Sequence, residues 1–592
     1  MIVPMKKIFL IMQDKDAASA LKTLCEVGTL HVEHQKEPVG DDIHELQDKR
    51  QKIEKVLQRL SCMEDGSYQV PVDDSKKRAV EVFDQINLIA QLQQRIYEKK
   101  ALISKWETWG NFDPRDILAL KEKGIHCSLA EVDKETFQKI QEEDSLWVEV
   151  ISSKNQMYQL ALFSKEEREY PFDILSYPQY SLDRIKKMQE EDRAKIHKAE
   201  RKIREYRKYF DCFQEILAEL KEKIAFKEAY YSRTEQENLS ILKGFCPKDK
   251  IEELSKVAKK EKWGLVIEQP AKEDQVPTLI RNPKWVEVIK PVFQMINILP
   301  GYEEMDISMV FLLFFSVFFG ILIGDAGYGL VFFLGTLFVR KKRKDKQDAK
   351  NIYYLMYVLS ICAVIWGALT GVFFGQQWLS GYIKPLMPWL TDIQNIQMVC
   401  FFIGAVHLSI AHLWRAILKA PSLSFLSQMG WIALVWGMFF LARVLILGEA
   451  FPPPAKLLFA LGFFCVIFFT KPSRNVFKTI GSGVGDLLLN VINTFTDIVS
   501  YIRLFAVGLA SIAVADAFND MALSIGFSSV FAGFISAVVL VVGHLFNVIL
   551  GAMAILVHGL RLNVLEFSNH LNMEWSGFRY NPFRKIKKVN QS

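Results

Sequence analysis

The residues that invite chemistry lie late in this 592-residue chain. Over 486–500, an otherwise apolar stretch, Asp486, Asn490, Asn493, Asp497 and Ser500 follow one another at intervals of 4, 3, 4 and 3. At 3.6 residues per turn they fall within about an 80° arc, a polar stripe down one helix face. On a continuous helix Arg503 comes next, about 60° round from Ser500. A guanidinium cannot shed its charge by deprotonation, and even a lenient scale puts about 2.5–3.5 kcal/mol on one at the centre of a membrane helix. A polar stripe ending on an obligatory cation fits a water-filled path for a small ion. The competing reading is a structural ion pair between Arg503 and a carboxylate of a neighbouring helix.

A second face lies over 528–568, where Ser529, Gly533, Ser536, Gly543, Asn547, Gly551, Ala554, His558 and Arg561 align, with His544 at the edge. Small and polar residues on an apolar helix either line water or pack closely against a neighbour. Arg561 lies nearer the helix end and is placed to snorkel, and Glu566 is placed to pair with a basic residue there. We read Asp486, Asn490, Asn493, Asp497 and Ser500 as lining the cytoplasmic side of such a path. Ser529, Ser536, His544 and Asn547 are read as lining its outer side, with His558 and Glu566 as further candidates. His407 and His412 are expected to make interhelical hydrogen bonds.

These assignments need the segments concerned to lie in lipid, and composition supports that. The first 300 residues carry 51 Lys and Arg with 53 Asp and Glu, whereas the remaining 292 carry 22 and 14. About 35% of the first part is ionisable and about 12% of the second. Such a step divides a charged soluble domain, 1–300, from a membrane domain, 301–592. It excludes a single soluble enzyme and equally a chain embedded along its whole length.

Apolar stretches occupy 308–339, 352–375, 397–418, 426–447, 455–470, 486–518 and 528–568. A span takes roughly 20 helical residues, so the first stretch is too long for one. The interrupting run Gly324 to Gly329 makes it a hairpin of two short helices, for about eight transmembrane helices in all. Basic residues then alternate sides as the positive-inside rule requires. Loop 340–350, Arg415 with Lys419, Lys471 with Arg474 and Lys478, and the tail with Arg579, Arg584, Lys585, Lys587 and Lys588 fall on the cytoplasmic side. The outer loops 376–396, 448–454 and 519–527 hold only Lys384 among Lys and Arg. The apolar run after Lys6 and Lys7, Ile8 to Met12, is too short for a signal peptide. The N-terminal part and the C-terminus are therefore expected in the cytoplasm of a multi-pass cell-membrane protein.

In the soluble part, apolar residues at Ile196, Ala199, Ile203, Tyr206, Phe210, Phe213, Leu217, Leu220 and Ile224 alternate by 3 and 4, a coiled-coil seam. Partner registers occur at Val82, Ile86, Ile89, Ile96 and Ile103 and at Ile43, Leu46, Ile53, Leu57 and Leu60. The fold class expected is thus an α+β arm followed by an all-α membrane domain. The arm combines an antiparallel coiled coil with small α/β lobes: strand–helix–strand near the start, a hairpin at 147–164, and strand–helix–strand over 239–269. Nothing in this part builds a nucleotide site, a Ser/His/Asp triad or a metal-ligand constellation, and no cofactor is expected. The eight cysteines show no CxxC spacing and read as reduced core thiols. The balanced charge of the arm argues against nucleic acid.

The segments SYIRLFAVGLA (500–510) and VHGLRLNVLEF (557–567), with GDAGYG (324–329) and NPF (581–583), resemble the membrane a-subunit, or subunit I, of V-type and A-type rotary ATPases. MIVPMKKI at the start, GFCPKDK (244–250) and PGYEEMDIS (300–308) extend the likeness over essentially the whole chain. The resemblance implies a non-catalytic, ion-translocating subunit in which Arg503 faces the carboxylates of a proteolipid c-ring and separates two half-channels for H⁺ or Na⁺. Arg561 matches the second family arginine. It also implies peripheral-stalk subunits and a central-stalk rotor cap as partners, with the ATPase head reached indirectly. Ser511 stands where eukaryotic relatives have a histidine, and Gly551 where they have a glutamate, so the bacterial form is the closer likeness. Two other classes compete: a secondary transporter with a cytoplasmic regulatory arm, which predicts inverted repeats that are not evident here, and a membrane-anchored coiled-coil scaffold, which gives Arg503 no task.

Overall fold

The computed structural model describes residues 1–33, 41–61, 75–143, 146–154, 157–236, 238–342, 350–375, 384–472, 476–526 and 528–585. Most of basic loop 340–350 (343–349), part of the outer loop at 376–396 (376–383), Arg474, Lys587 and Lys588 lie outside the described residues. The chain divides into two compact units, one of residues 8–244, 252–266 and 582–592, the other of residues 1–7, 245–251 and 267–581.

The first unit begins within β1 (Met5–Gln13), at Ile8, and continues with α1 (Ala17–Val27) and β2 (His31–Val32). Ile8, Leu10 and Met12 are buried at the two-residue period of a strand with one face on a core. Two long helices, α2 (Asp41–Ser61) and α3 (Ser75–Trp106), lead to α4 (Pro114–Glu122), β3 (His126–Asp133), α5 (Lys134–Gln141), β4 (Trp147–Lys154), β5 (Met157–Ser164) and β6 (Ile174–Leu175). Helices α6 (Leu182–Glu205) and α7 (Phe210–Tyr231) follow, then β7 (Thr234–Gln236), β8 (Leu239–Pro247), α8 (Ile251–Lys260) and β9 (Gly264–Glu268). One sheet has the order β2-β8-β1-β9 with β7 on β8, and the other β4-β5-β3-β6. The expected hairpin is β4 with β5, but β5 also pairs with β3, a strand that the sequence reading did not single out. Asp113 caps α4 through the Arg115 amide, and the guanidinium and amide of Arg115 together hold its carboxyl down to about 2.

Helix α3 packs along α6 and α2 along α7. Glu81 meets Tyr206 while Lys99 meets Asp192, so α3 and α6 run antiparallel. Glu54 with Lys221 and Asp42 with Lys227 show the same for α2 and α7. A 3₁₀ turn at Tyr206–Tyr209 interrupts the seam expected from Ile196 to Ile224. Its tighter winding moves the buried positions from Ile203 to Tyr209, Phe213 and Ile216. Phe213 is fully buried among all four helices. Phe213→Ala leaves a cavity there and should cost about 3–5 kcal/mol, seen as a lower thermal midpoint for this unit within the intact chain.

The other unit is helical and apolar. It contains α9 (Lys290–Met295), α10 (Ser308–Ile323), α11 (Ala326–Lys342), α12 (Lys350–Thr370), α13 (Ile393–Lys419), α14 (Phe425–Leu447), α15 (Pro453–Phe469), α16 (Val476–Ser500), α17 (Ile502–Ile525), α18 (Val530–Ala554) and α19 (Ser568–Leu571). Among the described residues, five helical segments suffice by length and composition to cross a membrane: Lys350–Thr370, Ile393–Lys419, Phe425–Leu447, Thr479–Ile525 and Val530–Leu571. Helices α10 and α11 pass that test only together and bend by 120°, while α15 is apolar but shorter.

The bend is built by Gly324 and Asp325. Gly324 ends α10 at φ +67°, the left-handed region that a side chain disfavours. Asp325 is buried and accepts the amides of Tyr328 at 3.1 Å and Gly375 at 3.0 Å. Behind the bend, α12 approaches so closely that a Cβ on Gly367 would lie 2.0 Å from the Ala326 nitrogen. The obstacle is backbone and cannot rotate away, so Gly367→Ala should cost at least about 1–3 kcal/mol. A lower melting temperature of the detergent-solubilised protein is the expected readout.

Candidate functional site

The continuous helix expected over 486–518 breaks at Tyr501, between α16 and α17. The amides of Tyr501 and Leu504 bond three residues back, to Ile498 and Tyr501, as in a 3₁₀ turn. Tyr501 is fully buried and its hydroxyl meets His407 Nδ1 at 2.8 Å. His407 itself stacks between Phe314 and Phe567. This anchor seats the first turn of α17, and with it Arg503, against α13. Because the winding tightens to three residues per turn here, the constant step that placed Arg503 about 60° from Ser500 does not hold across Tyr501.

Glu566 is the meeting point of the two arginines. Its carboxylate lies 3.2 Å from Arg561 Nε and 3.9 Å from Arg503 Nη1, and its side chain is 3% exposed, against 24% for Arg503 and 50% for Arg561. Two guanidinium groups thus share one carboxylate, leaving one positive charge in excess. Arg503 Nη1 has no hydrogen-bond partner among the described residues. Residues Ile555–Gly559 and Leu562–Phe567 are π-helical. On an α-helix residues 561 and 566 stand about 140° apart, but the wider π turn, with bonds from i to i+5, brings them towards one face. The constant period used to align His558 and Arg561 with the rest of α18 therefore fails beyond Ala554. His558 is half-buried on the first π segment.

Asp486, Asn490, Asn493 and Asp497 line a single cavity of about 620 Å³ with His412, Arg415, Lys419, Lys471 and His570. Asn490 donates to Asp486 at 3.0 Å, and Ser500, outside this lining, donates to the Thr496 carbonyl at 2.9 Å. His570 Nε2 lies 3.1 Å from Asp497 Oδ2, and His570 Nδ1 lies 2.8 Å from His412 Nε2. His412 Nδ1 in turn meets Gln428 Oε1 at 3.1 Å. Sequence reasoning missed His570 and treated Arg415 and Lys419 only as orientation signals. No periodicity within one helix relates His570 to partners 73 and 158 residues away.

The outer set separates. His544 and Asn547 come together around the Tyr328 hydroxyl, at 2.7 and 3.0 Å, and Asn547 also bonds Ser511. Ser529 instead caps α18 through the Ala532 amide, and buried Ser536 donates to the Ala522 and Gly526 carbonyls, both at 3.0 Å. The small face of α18 packs closely on α17: a Cβ on Gly543 would meet Phe518 at 2.2 Å. The outward face of α18 carries exposed Phe531, Phe534, Val538, Val541, Leu545 and Ile549.

Apolar helices of spanning length, with Arg503, Arg561 and the buried Glu566 set among them, define a membrane-embedded, multi-pass protein. No family model matches the chain. It is 30% identical, over 99% of its own length and 100% of the relative's, to V-type ATP synthase subunit I of Borreliella burgdorferi. The figures are the same for V-type ATP synthase subunit I 1 of Treponema pallidum. A-type ATP synthase subunit I of Methanocaldococcus jannaschii is 28% identical over 54% of this chain and 50% of that protein. The chain belongs to the V-type ATP synthase subunit I family and is a membrane subunit of a rotary ATPase.

Proposed function

We propose that the chain is the stator membrane subunit of a V/A-type rotary ATPase, forming two half-channels for H⁺ or Na⁺ against a proteolipid c-ring. The observation that carries this is the charge excess at Arg503. Arg561 lies closer to Glu566 and neutralises it, and Arg503 remains as a partly exposed cation whose buried Nη1 stands 3.9 Å from Glu566 without a hydrogen bond. A rotor carboxylate is neutral while it faces lipid, with a bound proton or ion. Beside Arg503 its ionised form becomes favourable, since a nearby opposite charge lowers a carboxyl pKa. The released ion leaves by one half-channel and the site reloads from the other. Asp486, Asn490, Asn493, Asp497 and Ser500 serve the cytoplasmic side, with Ser529, Ser536, His544 and Asn547 outside. His558 and Glu566 lie beside the arginines between the two.

On this reading the α10–α11 pair is a hairpin, and with α12 to α15, α16–α17 and α18–α19 the membrane part, 301–592, crosses eight times. Residues 1–300 form a cytoplasmic coiled-coil arm that docks on peripheral stalks. The C-terminus is cytoplasmic too, the central-stalk rotor cap is a neighbour, and the ATPase head is reached indirectly. ATP itself is hydrolysed or made elsewhere in the complex. Purification in mild detergent tests the assignment. Co-isolation with a proteolipid ring and an ATPase head is the expected result, whereas a lone chain active as a transporter would refute it.

A further inference from the structure

The chain of hydrogen bonds beside the polar cavity has a property that the half-channel reading does not use. It joins Gln428 on α14, His412 on α13, His570 on α19 and Asp497 on α16, through contacts of 3.1, 2.8 and 3.1 Å. Gln428, His412 and His570 are buried, and all four residues line the 620 Å³ cavity. With Gln428 Oε1 accepting, His412 carries its proton on Nδ1 and its Nε2 is a bare acceptor. His570 must then donate from Nδ1, so in a neutral ring its Nε2 is bare as well. That nitrogen faces a carboxylate oxygen, another acceptor. The contact closes only if one further proton lies between His570 and Asp497.

Reversing the Gln428 amide turns every donor round. Gln428 then donates to His412 Nδ1, His412 Nε2 to His570 Nδ1, and His570 Nε2 to ionised Asp497, with no extra proton required. The two arrangements differ by one proton and by the orientation of the Gln428 amide, and are connected by local transfers and that rotation. As the Gln428 amide turns its NH₂ away from His412 Nδ1, a hydronium ion of the cavity protonates that nitrogen and becomes water, and Gln428 Oε1 then accepts from it. The Nε2 proton of His412 moves to His570 Nδ1, and the Nε2 proton of His570 moves to Asp497. Both rings end neutral and the carboxyl protonated. Run backwards, the same steps return the proton to the cavity.

We propose that Gln428, His412 and His570 form a proton relay that loads and unloads Asp497 on the cytoplasmic half of the ion path. The inference rests on the stator reading above. Two imidazoles in series pass a proton, whereas a sodium ion needs oxygen ligands. Other charges bear on the pair. Arg415 donates to the His570 carbonyl at 3.0 Å. Lys419, Lys471 and Asp486 share the cavity, and His407 and Glu566 lie within electrostatic reach.

The test is ATP-driven ion transport by the intact complex in vesicles, measured from about pH 5.5 to 8.5, a window that spans the ordinary imidazole range. The wild type should show a rate inflection in that range. His570→Gln should lower the rate at least about 10-fold, in keeping with the loss of a positioned proton carrier, and should remove the inflection. Gln428→Glu keeps the side-chain shape and places a carboxylate on His412 Nδ1. It favours the protonated chain and should move the inflection to higher pH, so it serves if His570→Gln fails to assemble. A His570→Gln complex with wild-type rate and profile, or an unshifted inflection in Gln428→Glu, overturns the relay. Arg503→Ala in the same vesicles separates the two ideas: transport surviving that change defeats the stator reading itself, whereas loss there beside a wild-type His570→Gln profile defeats the relay alone.

Discussion

Arg503→Ala should abolish ATP-driven ion transport, by more than about 100-fold, while the complex still co-purifies with its ring and head. The side chain is about one quarter exposed and its Nη1, 3.9 Å from Glu566, makes no hydrogen bond, so its removal breaks no well-formed hydrogen bond within this subunit. Glu566 keeps the closer Arg561, 3.2 Å away, so no buried carboxylate is left without a cation. What disappears is the one positive charge in excess. On the proposed stator reading, a rotor carboxylate entering this face then has no reason to ionise, and nothing prevents an ion from passing straight between the proposed half-channels. Arg503→Lys keeps the charge but replaces a planar fork of donors with a compact, strongly hydrated ammonium. It should restore only a minor part of the rate. Transport in reconstituted vesicles, normalised to co-purified ring, decides both points.

Glu566→Gln is expected to have the next largest effect, through the opposite imbalance. The carboxylate is almost fully buried and stands between two guanidinium groups. Neutralising it leaves two like charges near one another with no counter-ion among them. Removing one partner of a fully buried pair costs about 3–5 kcal/mol. Arg561 is half exposed and solvent screens part of that, so about 1–3 kcal/mol is expected here. The variant should melt at a lower temperature in detergent and transport at least about 10-fold more slowly, because Arg503 loses the group that orients it. If the melting temperature and the rate both stay at wild-type values, Glu566 does not hold the arginines.

The chemistry-bearing residues were partly legible because lipid makes polar residues conspicuous. Arg503, Arg561 and the stripe from Asp486 to Asp497 stand out in apolar stretches, and four of the stripe's five members do line one cavity. The outer set was less legible. Ser529 and Ser536 have the right type and spacing, and each also satisfies backbone groups, as a helix cap and as a donor to carbonyls. A hydroxyl on an apolar helix satisfies a backbone group as readily as it lines water, and spacing does not distinguish the two. Tyr328 lies in a motif quoted for the family likeness and Ser511 directly follows one, but their contacts with His544 and Asn547 were not foreseen because they belong to other segments.

By itself the sequence determined the division into a charged part and an apolar part, the helical spacing of the polar stripe and the family to which the chain belongs. Composition and periodicity are local properties, readable without knowing what touches what. Only the tertiary structure decided that Glu566 sits between Arg503 and Arg561, since that depends on π turns that an α-helical period does not foresee. The same holds for the break at Tyr501, set by its seat against His407, and for the chain from Gln428 to Asp497, which gathers four residues from four helices. Each is a long-range contact made when apolar faces pack, and the residues that meet there carry no mark of it in their own neighbourhood of the chain.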